Sequence, residues 1–125
     1  IENNVLYNAN KTQLIEVLPN NTSTKITVPS TVTEIASNAF YDNGNIQEVV
    51  LPSNLKKIGQ RAFYYSKITG ITIPASCKEI GDATFYGCRN LVSVILQNGV
   101  TTIGEMTFGY NTNLETIKIP KSVIM

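Results

Sequence analysis

The chain has 125 residues, 42% hydrophobic and 15% charged, with ten basic and nine acidic side chains scattered along its length. That balance carries no basic footprint for nucleic acid, and the absence of a bilayer-length apolar run or signal-peptide pattern gives no expectation of direct membrane insertion. Histidine is missing altogether, which removes the commonest general base and metal ligand and, with them, Ser-His and Cys-His catalysis.

Taken in order, residues 1–24 stand outside any period. Val5-Leu6-Tyr7 and Gln13 to Leu18 read as two strands about a polar turn at Asn8 to Lys11, a hairpin expected to cover the open edge of the structure formed from residue 25 onward. Residues 20–24 are a polar connector. Asn10, Asn20 and Asn21 each begin an Asn-x-Ser/Thr sequon, which matters only in a eukaryotic secretory pathway.

From residue 25 the chain repeats. Laid on Pro29, Pro52, Pro74, Gln97 and Pro120, it advances in steps of 23, 22, 23 and 23. Each unit is too small to bury its own apolar face, so such a chain must stack into a solenoid, with full repeats at 25–46, 47–68, 69–91 and 92–114 and a partial fifth. Each repeat has three parts. An extended segment such as Ile71-Thr72-Ile73 precedes the anchor and predicts strands that run parallel from coil to coil. Val32-x-x-Ile35 and its equivalents predict a shorter strand forming a second wall. The segment ending at Phe40, Phe63, Phe85 and Phe108 predicts one turn of helix that drives the ring inward. Gly59, Gly81 and Gly104 fit a sharp bend before it, with Ala36 at the same place in the first repeat.

Register also places the candidates for chemistry. Cys77 falls in the apolar slot of Val32, Leu55 and Val100, and Cys88 in the small polar slot of Asn43, Ser66 and Asn111; a disulfide between them is an open alternative to two free thiols. Asp82 and Glu105 should be neighbours, either as exposed turn tips or as a carboxylate pair for acid–base chemistry or calcium. Glu34, Lys57, Glu79 and Thr102 form a cross-strand row expected to pair charges. Tyr41, Tyr64 and Tyr86 stack in one slot, either as a strip that grips sugar rings or partner aromatics, or as packing over the Phe column. The outward positions of the main sheet are Thr27, Val50, Thr72, Ile95 and Lys118, with Glu48 and Ser93 two residues earlier in their strands. Such a flat, mostly uncharged face suits macromolecular binding, although Thr and Val also simply favour strands.

The pattern L-x-x-I-x-I-P-x-x-V-x-x-I-G-x-x-A-F, carried by Ile68 to Pro74, Ile80-Gly81 and Thr84-Phe85, resembles the BspA-like class of leucine-rich repeats, and VLYNANKTQLIEVLP looks like the hairpin found beside such arrays. Gln97, Cys77, Thr84 and Thr107 depart from it mildly. The resemblance implies a β-rich leucine-rich-repeat solenoid with an N-terminal β-hairpin, at the cell surface or outside the cell, in a non-enzymatic recognition or adhesion role toward protein or glycan. The alternative is a structural spacer within a larger surface protein. No catalytic residue, cofactor or metal is assigned. The fifth repeat stops at Val123, short of an Ile, Gly or Phe, so the stack is expected either to continue as further repeats of a parent chain, to pair end to end with a second copy, or to be capped by residues 122–125.

Overall fold

The computed structural model describes residues 4–18 and 21–123. Two strands open it, β1 (Val5–Tyr7) and β2 (Gln13–Val17), paired antiparallel with a bulge between Leu6 and Tyr7. Asn8 builds their turn, its Oδ1 accepting the N–H groups of Thr12 and Gln13 at 2.8 and 3.0 Å. Two walls of parallel strands then alternate along the chain. The longer strands are β3 (Lys25–Thr27), β5 (Glu48–Val50), β7 (Gly70–Ile73), β9 (Ser93–Leu96) and β11 (Thr116–Lys118). The short ones are β4 (Glu34–Ile35), β6 (Lys57–Ile58), β8 (Glu79–Ile80) and β10 (Thr102–Ile103).

The longer strands make one five-stranded sheet in chain order, and the short strands extend the hairpin into a six-stranded one. Here β2 does more than cover an edge. It pairs parallel with β4, setting Leu14 against Ile35, so the hairpin supplies the first strand of the second wall. That role is invisible to the period because the anchor proline and the Phe have no counterpart before residue 25.

Between the walls lies one continuous core. Val32, Leu55, Cys77 and Val100 form one column and Ile35, Ile58 and Ile80 another, all buried. The Phe rings stack along the axis at 4.6, 5.4 and 5.9 Å from Phe40 through Phe63 and Phe85 to Phe108. The two departures at the residue before the Phe cost nothing in satisfied polarity, because the Thr84 and Thr107 hydroxyls donate at 2.7 Å to the carbonyls of Gly81 and Gly104. Phe108, Ile103 and Ile117 are only half-buried, unlike their equivalents in earlier coils, and Ile119 is 48% exposed. Ser122 keeps its place in the repeat, accepting the Gly99 N–H at 2.9 Å and donating to the Val100 carbonyl at 2.6 Å. A cap built from 124 and 125 lies outside the described residues.

The third part of each repeat differs from expectation. The corner is a run of tight turns, with no helix among the described residues. The N–H groups of Ala39, Tyr41 and Asn43 close onto carbonyls three residues back, at Ala36, Asn38 and Phe40. The intervening N–H groups of Asn38, Phe40 and Asp42 donate outward, to Gln60, Ala62 and Tyr64 of the next coil, at 3.2, 2.7 and 2.8 Å. Past its first turn an α-helix directs its N–H groups along its own axis, whereas this corner alternates inward and outward donors. The alternation goes with two left-handed residues in each corner, Asn38 and Asp42, Arg61 and Tyr65, Ala83 and Gly87, Met106 and Tyr110, with φ between 49° and 71°. A side chain there costs about 1 kcal/mol, offset by the bonds between coils. Asn38, Asp42 and Gly87 carry the sequence signal for such a conformation, and the other five do not.

Candidate functional site

The outer face of the five-stranded sheet presents the expected residues in register. Thr27 sits against Val50, Thr72 against Ile95, and Ile95 against Lys118, while Gly70, Ser93 and Thr116 align two residues earlier. Thr27, Glu48, Val50, Thr72, Ile95 and Lys118 are exposed and Ser93 is half-exposed. Lys25 Nζ lies 3.7 Å from Glu48 Oε2, so this face begins on an ion pair and becomes apolar toward its centre. A shallow groove of about 540 Å³ runs along it between Val50, Thr72 and Ile95 on one side and Ser53, Pro74 and Gln97 on the other.

The tyrosines form a second surface. Tyr41, Tyr64 and Tyr86 stack with centroids 5.3 and 5.2 Å apart and planes within 11° and 8° of parallel. Coils about 4.8 Å apart impose this spacing on any residue that recurs in one slot. The consequence is orientation: the rings cover one another's faces, and the strip shows solvent mainly edges and hydroxyls. Tyr65 meets Tyr64 and Tyr86 edge-on, and Tyr110 meets Tyr86 likewise. The Arg61 guanidinium lies 5.7 Å from the Tyr64 centroid. The row ends at Gly109, and the Tyr86 ring lies over it, 2.8 Å from where a Cβ would stand.

Sequence reasoning missed a third feature. Where β2 meets the first corner, a cleft of about 860 Å³ opens between Ile15, Glu16 and Val17 on one side and Ser37, Asn38 and Tyr41 on the other. Asp42 and Arg61 also line it. The cleft depends on the hairpin joining the second wall, and no spacing in the sequence announces that.

The remaining candidates resolve into structural roles. Asp82 Oδ1 accepts the Glu105 N–H at 2.8 Å, so the expected neighbours meet through backbone, with that carboxylate oxygen already engaged. Among the described residues no group of three or more Cys, Asp or Glu side chains is placed to hold a metal ion. In the charged row Lys57 pairs with Glu79 at 3.8 Å, and Glu34 accepts a hydrogen bond from Gln13. Asn21 is buried with Oδ1 accepting the Ser23 N–H at 2.8 Å, which rules it out as an accessible sequon; Asn20 lies outside the described residues.

Both cysteines are free and buried, which closes the disulfide alternative. Cys88 donates to the Phe63 carbonyl at 3.0 Å. Burial pushes the Cys77 thiol from 9.0 up to about 11, against a smaller opposing effect of hydrogen bonding with the Glu79 main chain. The folded chain thus holds this proton more tightly than the unfolded one. The associated stability is complete below pH 9.0 and is lost as pH rises toward about 11. Cys77→Val, which restores the residue found in sister coils, should change stability at neutral pH by about 1 kcal/mol or less. Chemical denaturation from pH 8 to about 11 should show the variant losing less stability than the native chain; equal losses would exclude this thiol as the cause.

Residues 15–125 match, in six copies, the family described as the BspA type leucine rich repeat region. The chain is similar to a leucine-rich repeat protein from Eubacterium ventriosum, with 31% identity and a TM-score of 0.88, over 93% of this chain and 32% of that one. It is also similar to a leucine rich cell surface protein from Faecalibacterium prausnitzii, with 36% identity and a TM-score of 0.75, over 90% of this chain and 32% of that one. The pneumococcal vaccine antigen PcpA shares the fold at 21% identity and a TM-score of 0.65, over 95% of this chain and 40% of that one. The chain thus spans about a third of the length of the first two. No curated protein matches it in sequence.

Proposed function

The chain belongs to the BspA-type leucine-rich repeat family, and from that premise we propose that it is a non-enzymatic recognition module, displayed at a bacterial cell surface or secreted, that binds a protein partner through the outer face of its five-stranded sheet. One observation carries this reading. All-parallel sheets are ordinarily covered on both faces, yet here the outer face is open and bears Val50 and Ile95 at 40% and 45% exposure. Thr27 and Thr72 extend that surface, and Lys25, Glu48 and Lys118 edge it with charge. An apolar centre with a polar rim is the composition of a protein interface, and regular repeat faces are widely used for such contacts. The cell-surface relative from Faecalibacterium prausnitzii supports the location. No helix among the described residues is long and apolar enough to cross a membrane.

Surface plasmon resonance of the chain over a panel of immobilised matrix proteins tests the proposal. The Val50→Glu/Ile95→Glu double variant should weaken binding by about thirtyfold, the scale of losing one interface hot spot, with an unchanged melting temperature because both side chains point to solvent. Binding that survives the double variant would move the interface elsewhere. A spacer would bind nothing on the panel.

A further inference from the structure

The stacking of the tyrosine strip leaves one ring unlike the others. Tyr64 has Tyr41 on one face and Tyr86 on the other, and it is half-buried. Tyr41 begins the row: among the described residues its only ring partner is Tyr64, and it is 52% exposed. It lines the cleft between β2 and the first corner, so a ring stacked on one side only borders that cavity.

The rest of the lining is rich in hydrogen-bond acceptors. Glu16 and Asp42 contribute carboxylates, Arg61 a guanidinium and Asn38 an amide. The main chain adds another acceptor. In later coils the carbonyls of Gln60, Asp82 and Glu105 each accept an N–H from the preceding corner, at 3.2, 2.9 and 2.8 Å. Their counterpart in the first corner, the Ser37 carbonyl, receives no backbone N–H among the described residues, because β2 precedes it instead of another corner. These groups stand on a rigid frame, with Asn38 and Asp42 held left-handed by their bonds to Gln60 and Tyr64. A binding site held in its bound geometry loses little freedom on association.

We propose that this cleft binds a neutral pyranose residue of a glycan, its apolar C–H face laid on Tyr41 and its hydroxyls donating to Asp42, Glu16 and the Ser37 carbonyl, with Arg61 and Asn38 as donors in return. A pyranose matches the lining on three counts. It offers a flat apolar face to an aromatic platform. It carries many hydroxyl donors for a site dominated by acceptors. It is uncharged, and so escapes the net repulsion that two carboxylates against one guanidinium would give an anionic sugar or a phosphate. The site is independent of the sheet face, and either can fail without the other.

Saturation-transfer NMR and calorimetry with methyl glycosides of glucose, galactose, mannose and N-acetylglucosamine, and with their linear trisaccharides, provide the test. At least one of these should bind at millimolar concentration or better. Tyr41→Ala should weaken that binding by about tenfold, the loss of one stacking platform, and Tyr41→Phe should retain it. Asp42→Asn, which suits the left-handed backbone and keeps the fold, should weaken it with no change in melting temperature. Tyr110→Ala, at the far end of the strip, and the Val50→Glu/Ile95→Glu variant should bind the sugar as the native chain does. Absence of signal from every neutral sugar, response only to sialylated or sulfated glycans, or undiminished binding by both Tyr41→Ala and Asp42→Asn would overturn the proposal.

Discussion

Phe63→Ala is expected to lower the unfolding free energy by about 3–5 kcal/mol, the range for removing a core aromatic ring. Phe63 is fully buried and stands in the middle of its column, 4.6 Å from Phe40 and 5.4 Å from Phe85. In a solenoid, stability is the sum of coil terms and of interfaces between neighbours, so a void at this position weakens two interfaces at once. Domains of this size have about 5–15 kcal/mol in all, and the variant should melt far below the native chain or fail to fold. Phe108→Ala provides the internal control. That ring is half-buried and has a described partner on one side only, so its loss should be smaller. Circular dichroism melts and urea titrations of both variants give the comparison. A Phe63→Ala melting temperature within a couple of degrees of native would mean that the column is not the core.

The second large effect comes from adding a single methyl group. Gly81→Ala is expected to cost about 3 kcal/mol, the upper part of the usual range for overpacking. A Cβ on Gly81 would stand 2.5 Å from the Gln60 nitrogen and 2.8 Å from its Cα, and backbone cannot rotate aside as a side chain can. Gly59 meets Ser37 in the same way, with a Cβ 2.6 Å from its nitrogen, and Gly104 crowds Asp82. Hence the glycines answer to the neighbouring coil and not to the bend itself. Ala36 keeps its Cβ because the strand before it, β2, is not a corner of the same shape. Gly44→Ala is the matched control, since nothing lies within 4 Å of a Cβ there. Equal stabilities for Gly81→Ala and Gly44→Ala in urea would show that the coils can separate at little cost, contrary to the packing described.

Much of this architecture is legible in the order of residues alone. The recurrence of Ile26, Val49, Ile71, Val94 and Ile117 predicts a parallel wall, and those residues pair in β3, β5, β7, β9 and β11. Val32, Leu55 and Val100 predict that Cys77 is a core residue, and it is buried among them. The outward positions of the main sheet, from Thr27 to Lys118, also follow from alternation alone, because side chains in a strand point to opposite faces in turn.

Other features had no local signal. Arg61, Ala83 and Met106 do not advertise a left-handed backbone, and a short apolar segment ending in Phe suits a helical turn equally well by composition. The choice falls to the N–H groups that must bond to the next coil. The orientation of the tyrosine rings, the close approach at Gly81 and the cleft beside Tyr41 are likewise contacts between coils or between β2 and the first corner. Periodicity determines which residues share a column, since each coil must bury the same apolar positions against its neighbours. How near those neighbours come, and which backbone groups and ring faces remain free when they do, is decided only by the stacked chain, because these are distances between residues more than twenty apart in sequence.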